Sequence, residues 1–337
     1  MSGLSVMVLQ RRVSWNVTMV LSLFAIAWIG VVPSHAQEPL DEDFSFQGEY
    51  SGQIGSGSES RKFGLQIMAI GNGKFRAVAY AGGLPGDGWD GEAPNRVEEL
   101  GERSGNTVTF NSKYGRGAIR DGMMTVFDPQ GVQLGEMQKV TRQSPTLGQK
   151  PPEGAVVLFD GSNVDAWEGG KLSDDNLLQQ GTTSKKRFGS HKLHIEFRLP
   201  YMPQATGQGR GNSGLYLQGR YEVQMLDSFG LEGRDNECGG IYSVKAPDMN
   251  MCFPPMSWQT YDVEFTAATY ENDKLVSSPR MTVYHNGTKI HDNVTLPGDR
   301  NTTAAPVAVG PEPGPIYLQD HGNPVRYRNI WIMETNP

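Results

Sequence analysis

An acid and an amide two residues apart, Glu222 and Gln224, stand on the extended run Tyr221-Glu222-Val223-Gln224-Met225-Leu226-Asp227-Ser228. A glycine-rich approach, Gly209-Arg210-Gly211-Asn212-Ser213-Gly214, leads into it. Two-residue periodicity predicts a β-strand with Tyr221, Val223, Met225 and Asp227 on one face and Glu222, Gln224 and Leu226 on the other. A carboxylate beside a primary amide offers acceptors and donors spaced to meet adjacent hydroxyls, so the pair suits a hydroxyl-rich ligand. The alternative is an ordinary half-buried strand whose polar side chains face water.

Other groups with chemistry in them alternate in the same way. Glu196 shares a predicted strand face with His194 and Arg198, Gln319 with His321, and Arg326 with Arg328. Histidine titrates nearest neutral pH, which makes His321 a natural acid or base. Its surroundings, Asp320-His321-Gly322-Asn323-Pro324, equally have the composition of a plain turn. Arg326 and Arg328 carry forked donors for an enolate or sugar hydroxyls, or pair with acids on a neighbouring strand. No cofactor motif is present. A divalent cation held by Glu196 and Glu222 with His194 or His321 stays open, although no ligand spacing demands it.

The elements that must position these groups are strands. The chain of 337 residues holds 42 glycines and 21 prolines, with few long helical periodicities, which indicates an all-β class. The segment Ser144-Pro145-Thr146-Leu147-Gly148-Gln149-Lys150-Pro151-Pro152-Glu153-Gly154 reads as a linker, residues 145–154, between two units that fold separately. Upstream, residues 40–144 form a small β-domain of unassigned role, with Gly71-Asn72-Gly73-Lys74 as a tight hairpin. Downstream, residues 155–337 supply enough short strands for two packed antiparallel sheets, a jelly-roll sandwich, with Asn286-Gly287 as another hairpin turn.

Residues 1–36 read as a secretory leader. Arg11 and Arg12 precede an apolar run from Val17 to Val32, and Ser34-His35-Ala36 is a small-x-small cleavage site. Export, periplasmic or extracellular, with no membrane span after cleavage, is the expectation. A net charge of −7 argues against nucleic acid as a partner. In an oxidising compartment, the two cysteines, Cys238 and Cys252, are expected to form a disulfide.

An ordered series of motifs then carries a family resemblance. Val157-Leu158-Phe159-Asp160-Gly161-Ser162 with Trp167, and Glu196-Phe197-Arg198-Leu199-Pro200, open it. Gly211-Asn212-Ser213-Gly214-Leu215-Tyr216, the Tyr221–Ser228 run and Gly239-Gly240-Ile241-Tyr242 follow. Trp258-Gln259-Thr260-Tyr261-Asp262, His285-Asn286-Gly287, Leu318-Gln319-Asp320-His321-Gly322 and Arg326-Tyr327-Arg328-Asn329-Ile330 complete it. This pattern, over about residues 153–336, resembles the 3-keto-disaccharide hydrolase family.

The resemblance implies a concanavalin A-like sandwich acting on an oxidised glycoside or oligosaccharide. A ketone at C3 makes the C2 proton acidic, so a base can start an elimination that breaks the C1–O bond, and water can add to the resulting enone. That route needs a base, a stabiliser for the enolate oxygen and an acid for the leaving group. Glu222 and His321 are the expected catalytic pair, with Asn212, Gln224, Asp227, Tyr242, Gln319 and Arg326 binding substrate. Two alternatives remain: a carbohydrate-binding protein without catalysis, and a conventional jelly-roll glycosidase using Glu196 and Glu222 as paired carboxylates. The spacing Glu222-x-Gln224-x-x-Asp227 weighs against the second, because an amide stands where a further acid is expected.

Overall fold

The computed structural model describes residues 40–335, so the expected leader, residues 1–36, lies outside the described residues. The upstream strands are β1 (Gly48–Ile54), β2 (Arg61–Ala69), β3 (Lys74–Ala81), β4 (Arg96–Ser104), β5 (Thr107–Ser112), β6 (Gly115–Arg120), β7 (Met123–Phe127) and β8 (Gln133–Val140). Each pairs antiparallel with the next, and β8 returns to β1 to close a barrel. Closure leaves no strand edge unpaired. The β2–β3 turn falls where the sequence predicts it, with Asn72 and Gly73 both at positive φ, 56° and 71°. One end of the barrel is filled by Phe46, Tyr50 and Phe75.

The downstream strands form a two-sheet sandwich. In chain order they are β9 (Val156–Phe159), β10 (Trp167–Glu168), β11 (Leu178–Gln179), β12 (Thr182–Phe188), β13 (His191–Arg198), β14 (Ser213–Leu217) and β15 (Tyr221–Met225). There follow β16 (Trp258–Thr266), β17 (Thr269–Glu271), β18 (Lys274–Ser277), β19 (Arg280–His285), β20 (Thr288–Thr295), β21 (Gly314–Leu318) and β22 (Arg326–Glu334). One sheet runs β10-β12-β21-β14-β15, and the facing sheet runs β11-β22-β13-β16-β19-β20 with β9 added beside β22. β17 and β18 pair separately as a hairpin.

Alternation decides what each sheet buries. Leu193, Ile195 and Phe197 of β13 meet Tyr221, Val223 and Met225 of β15 in one apolar core. Each such side chain contributes about 1.5–3 kcal/mol on burial. The same parity turns His194 and Glu196 to the outer face of one sheet and Glu222 and Gln224 to the outer face of the other.

Two expectations change at this level. The Pro/Gly-rich linker is a strap bonded along the outer face of the β13 sheet. Ser144 Oγ and Thr260 Oγ1 lie 2.6 Å apart, Thr146 Oγ1 donates to Asp262 at 2.7 Å, and the Gly148 N–H donates to Glu196 at 2.6 Å. Barrel and sandwich also share their cores: Met68, Val78 and Tyr80 pack into the sandwich cluster, and Tyr201 packs into the barrel cluster. Proline and glycine foretold the loss of regular structure but not the side chains that would fasten it.

The disulfide is the second correction. Cys238 and Cys252 are both free and buried. Cys238 Sγ lies 3.2 Å from the Tyr261 hydroxyl, and Cys252 Sγ reaches the Leu226 and Phe253 carbonyls at 3.7 and 3.5 Å. Burial pushes the Cys252 thiol well above its ordinary pKa. Hydrogen bonds hold the intervening loop, the Asn250 amide donating to Ser228 O and Leu231 O and Ser228 Oγ accepting from the Cys238 N–H. Counting thiols could not reveal that packing already closes this loop.

Candidate active site

Strands β14 and β15 present outward side chains, and Gln319 just past the end of β21 adds another, to one small cavity of about 110 Å³. Tyr216 of β14 lies directly opposite Glu222 of β15, and Gly214 lies opposite Gln224. The glycine is required by geometry, since a Cβ at Gly214 would stand 2.2 Å from Glu222 Oε1. Glu222 thereby reaches across its neighbour's backbone while remaining only 2% exposed.

Its hydrogen bonding is sparse. The Tyr216 hydroxyl lies 2.8 Å from Glu222 Oε2 and 3.0 Å from Thr303 O, and it accepts from the Gln319 amide at 3.2 Å. One hydroxyl proton cannot serve both oxygens fully. If Glu222 carries a proton on Oε2 it donates to Tyr216, which then donates to Thr303 O, so both hydroxyl protons find an acceptor. Burial drives the Glu222 pKa up to about 7, with the Tyr216 bond pulling the other way. Burial and the neighbouring carboxyl raise the Tyr216 pKa far beyond its ordinary value, so this phenol stays protonated.

Around that acid stand amides. The Asn212 side-chain amide donates to Gln208 O at 2.7 Å, and its backbone N–H donates to Asn323 Oδ1 at 2.7 Å. Asn212 Oδ1 is buried and has no donor among the described residues, which leaves an acceptor at the cavity wall. Gln224 donates to Gln208 Oε1 at 3.1 Å and accepts from the Met225 N–H, so it holds Gln208 in place. The Tyr242 N–H donates to Glu222 O at 3.2 Å, bringing its ring to the same cavity. His321 is exposed at the rim, on a turn closed by the Gly322 N–H donating to Asp320 Oδ1.

Six residues selected from sequence, Asn212, Glu222, Gln224, Tyr242, Gln319 and His321, thus line one cavity. Asp227 and Arg326 do not. Asp227 is buried in an ion pair with Arg210 Nε at 2.6 Å, and Arg210 also donates to Ala69 O of the barrel. Arg326 lies on β22 in the other sheet, donating to Gln180 Oε1 and Val325 O, each at 3.0 Å. Gln208, Thr303 and Ala304 were not foreseen as lining residues. Gln208 immediately precedes the glycine-rich approach, a usable signal. Thr303 and Ala304 arrive on a distant loop, fastened by Thr302 Oγ1 accepting from the Glu222 N–H at 3.0 Å, and periodicity carries no trace of that.

The metal candidates Glu196 and His194 occupy the opposite outer face. Glu196 accepts from Gly148 N and Arg328 Nε at 2.6 Å and from Asn329 at 2.9 Å, while His194 Nδ1 meets Asp262 at 2.6 Å. Burial raises the Glu196 pKa, but the bonds from His194, Asn329, Arg328 and Gly148 outweigh it and bring it to about 2. Its oxygens are already occupied by protein donors. Glu196 and Glu222, separated by the sandwich core, cannot flank one glycosidic bond, which removes them as a carboxylate pair.

Residues 154–333 match the 3-keto-alpha-glucoside-1,2-lyase-like domain family. The chain belongs to this family. Its 3-keto-alpha-glucoside-1,2-lyase-like domain therefore includes the sandwich up to residue 333, within its last strand, and every group lining the cavity. Membership gives the domain a hydrolase- or lyase-like, carbohydrate-directed character. A crystal structure of a protein from Parabacteroides distasonis ATCC 8503, provisionally described as a glycosyl hydrolase, is similar at 33% identity. That match has a TM-score of 0.49 and covers 55% of this chain and 86% of that one. A second protein from the same organism with the same description is 18% identical, with a TM-score of 0.40, covering 55% and 95% of the respective chains. No curated protein matches the chain.

Proposed function

We propose that this protein is an exported enzyme that cleaves 3-keto-glycosides by elimination, with Glu222 as the base. The observation that carries this reading is a buried carboxyl poised at about pH 7, on a family domain, in a cavity lined by amides. A base is most effective when its pKa lies near the working pH.

The Glu222 carboxylate takes the C2 proton, and the C–H electron pair passes into the enolate of the 3-ketone. The enolate collapses, forms the C1–C2 double bond and expels the C1–O pair. His321, at the solvent-exposed rim, hands a proton to the departing alcohol. Water added across the enone then gives the free keto-sugar. Asn212 Oδ1 accepts from a sugar hydroxyl, and Gln208, held by Gln224 and Asn212, supplies the amide surface against which the ring lies. Tyr216 keeps the carboxyl oriented and, while Glu222 is ionised, donates to it. At about 110 Å³ the cavity takes the edge of one ring, which suits attack at a single carbon.

The test is to incubate the protein with a 3-keto-glucoside, its unoxidised parent and the C2-deuterated keto-substrate. Turnover of the keto-sugar alone, slowed by deuterium, supports elimination. Turnover of the parent would point to ordinary glycosidase chemistry, and binding without turnover to a carbohydrate-binding protein.

A further inference from the structure

The barrel is closed by packing at one end and hollow at the other. The hollow end encloses about 400 Å³, within the range of about 300–1,000 Å³ typical of small-molecule sites. Its wall is apolar, built from Phe63, Leu65, Phe110, Met124 and Val126. Small inward residues keep it open: Ala77 and Ala79 face it from β3, and a Cβ at Gly117 would come within 2.8 Å of Met124 Cε.

Two charged side chains break this pattern: Arg116, exposed and with its guanidinium 4.4 Å from the centroid of the Phe127 ring, and Glu99, which has no such partner. On β4, Glu99 pairs with Ala77 and Val97 with Ala79, so alternation turns Glu99 inward along the cavity wall. Among the described residues Glu99 makes no ion pair or side-chain hydrogen bond. Its neighbour Glu98, on the outer face, meets both Arg96 and Arg76. A neutral apolar occupant would cover Glu99 and strip its water without replacing it, an unfavourable exchange for a carboxylate. An occupant that brings its own positive charge avoids this cost, and aromatic walls attract cations as well.

We propose that the barrel is a second binding site, for a small hydrophobic organic ammonium whose apolar body fills the hollow end and whose charge rests on Glu99. This site is independent of the sandwich cavity and of any reaction there.

The experiment is calorimetric titration of the full chain with 4-phenylbutylamine, 4-phenylbutan-1-ol and 4-phenylbutanoate. The amine should bind about tenfold more tightly than the alcohol, the increment expected for one charge-assisted contact at a partly solvated site. Glu99→Gln should abolish that preference while leaving alcohol binding unchanged, and Glu99→Lys should transfer it to the carboxylate. Ala79→Phe should exclude all three probes, with circular dichroism confirming that the barrel persists. The Glu99 variants decide the matter even if that plug fails to fold. Equal binding of amine and alcohol, a preference surviving in Glu99→Gln, or no binding of any probe at millimolar concentration would overturn the proposal.

Discussion

Glu222 and Glu196 are both buried glutamates on outward strand faces, one on each sheet of the same sandwich, yet their environments drive them in opposite directions. Glu196 collects donors from Arg328, Asn329 and the Gly148 backbone, and its pKa falls to about 2. Glu222 has one phenol whose proton is contested, and its pKa rises to about 7. Burial alone penalises charge at both sites, and the number of donors decides the outcome. A fully served carboxylate fastens structure. An underserved one holds a proton loosely enough to exchange it near neutral pH, which is what a general base requires.

The largest expected effect tests the fastened side. Glu196→Gln leaves Arg328 without its counter-charge and weakens the strap through Gly148, so it should lower unfolding free energy by about 3 kcal/mol in urea titrations near neutral pH. Glu196 has a folded pKa below its unfolded value of about 4.3, so its stabilisation is present above that pH and is lost as pH falls toward 2. The gap between wild type and variant should therefore close in acid. A gap that stays constant with pH would show that Glu196 contributes by packing rather than by charge.

Glu222 carries the opposite sign. Its folded pKa is raised, so the favourable proton is fully present below about pH 4.3 and stability declines as pH rises through about 7, by on the order of 3 kcal/mol. Glu222→Gln should remove that decline and make the protein more stable than wild type at pH 8. The same substitution should cut keto-glycoside turnover about 100-fold or more, roughly 2.7 kcal/mol in barrier height. Loss of activity together with loss of stability would mean that Glu222 is structural and would dissolve the contrast with Glu196.

A finer adjustment comes from Tyr216. With Glu222 as base, kcat/KM should rise with pH along a limb near pH 7. Tyr216→Phe removes the donor that favours the ionised form, so the limb should move upward by about one unit and the rate at pH 7 should drop about fivefold. A limb that moves downward would mean that Tyr216 favours the protonated acid. The smallest effect expected is the coupling between the two faces. In the Glu196→Gln, Glu222→Gln double variant, stability changes should add to within about 0.5 kcal/mol, because no hydrogen-bond partner is shared across the core.

Much of this arrangement was legible before any coordinates. Alternation placed Glu222 beside Gln224, and the Asn72-Gly73 and Asn286-Gly287 turns fixed where hairpins reverse. The same periodicity assigned Asp227 and Arg326 to the substrate, and there it failed. Whether a charged side chain faces a cavity or a counter-ion depends on what a remote segment delivers opposite it. Arg210 and Gln180 are those partners here.

The sequence by itself determined the class of fold, the faces of the strands and the set of polar groups available for chemistry. These follow from the two-residue repeat and from turn residues, which are local properties of the chain. The tertiary structure decided that the strap is fastened, that the two buried cysteines stand as free thiols, and which of two buried glutamates keeps its proton. Such outcomes depend on donors brought together from positions far apart in the chain. Glu196 is served by Gly148 and Arg328, whereas Glu222 shares the Tyr216 proton with Thr303, and electrostatics in a buried site follows the partners that folding supplies.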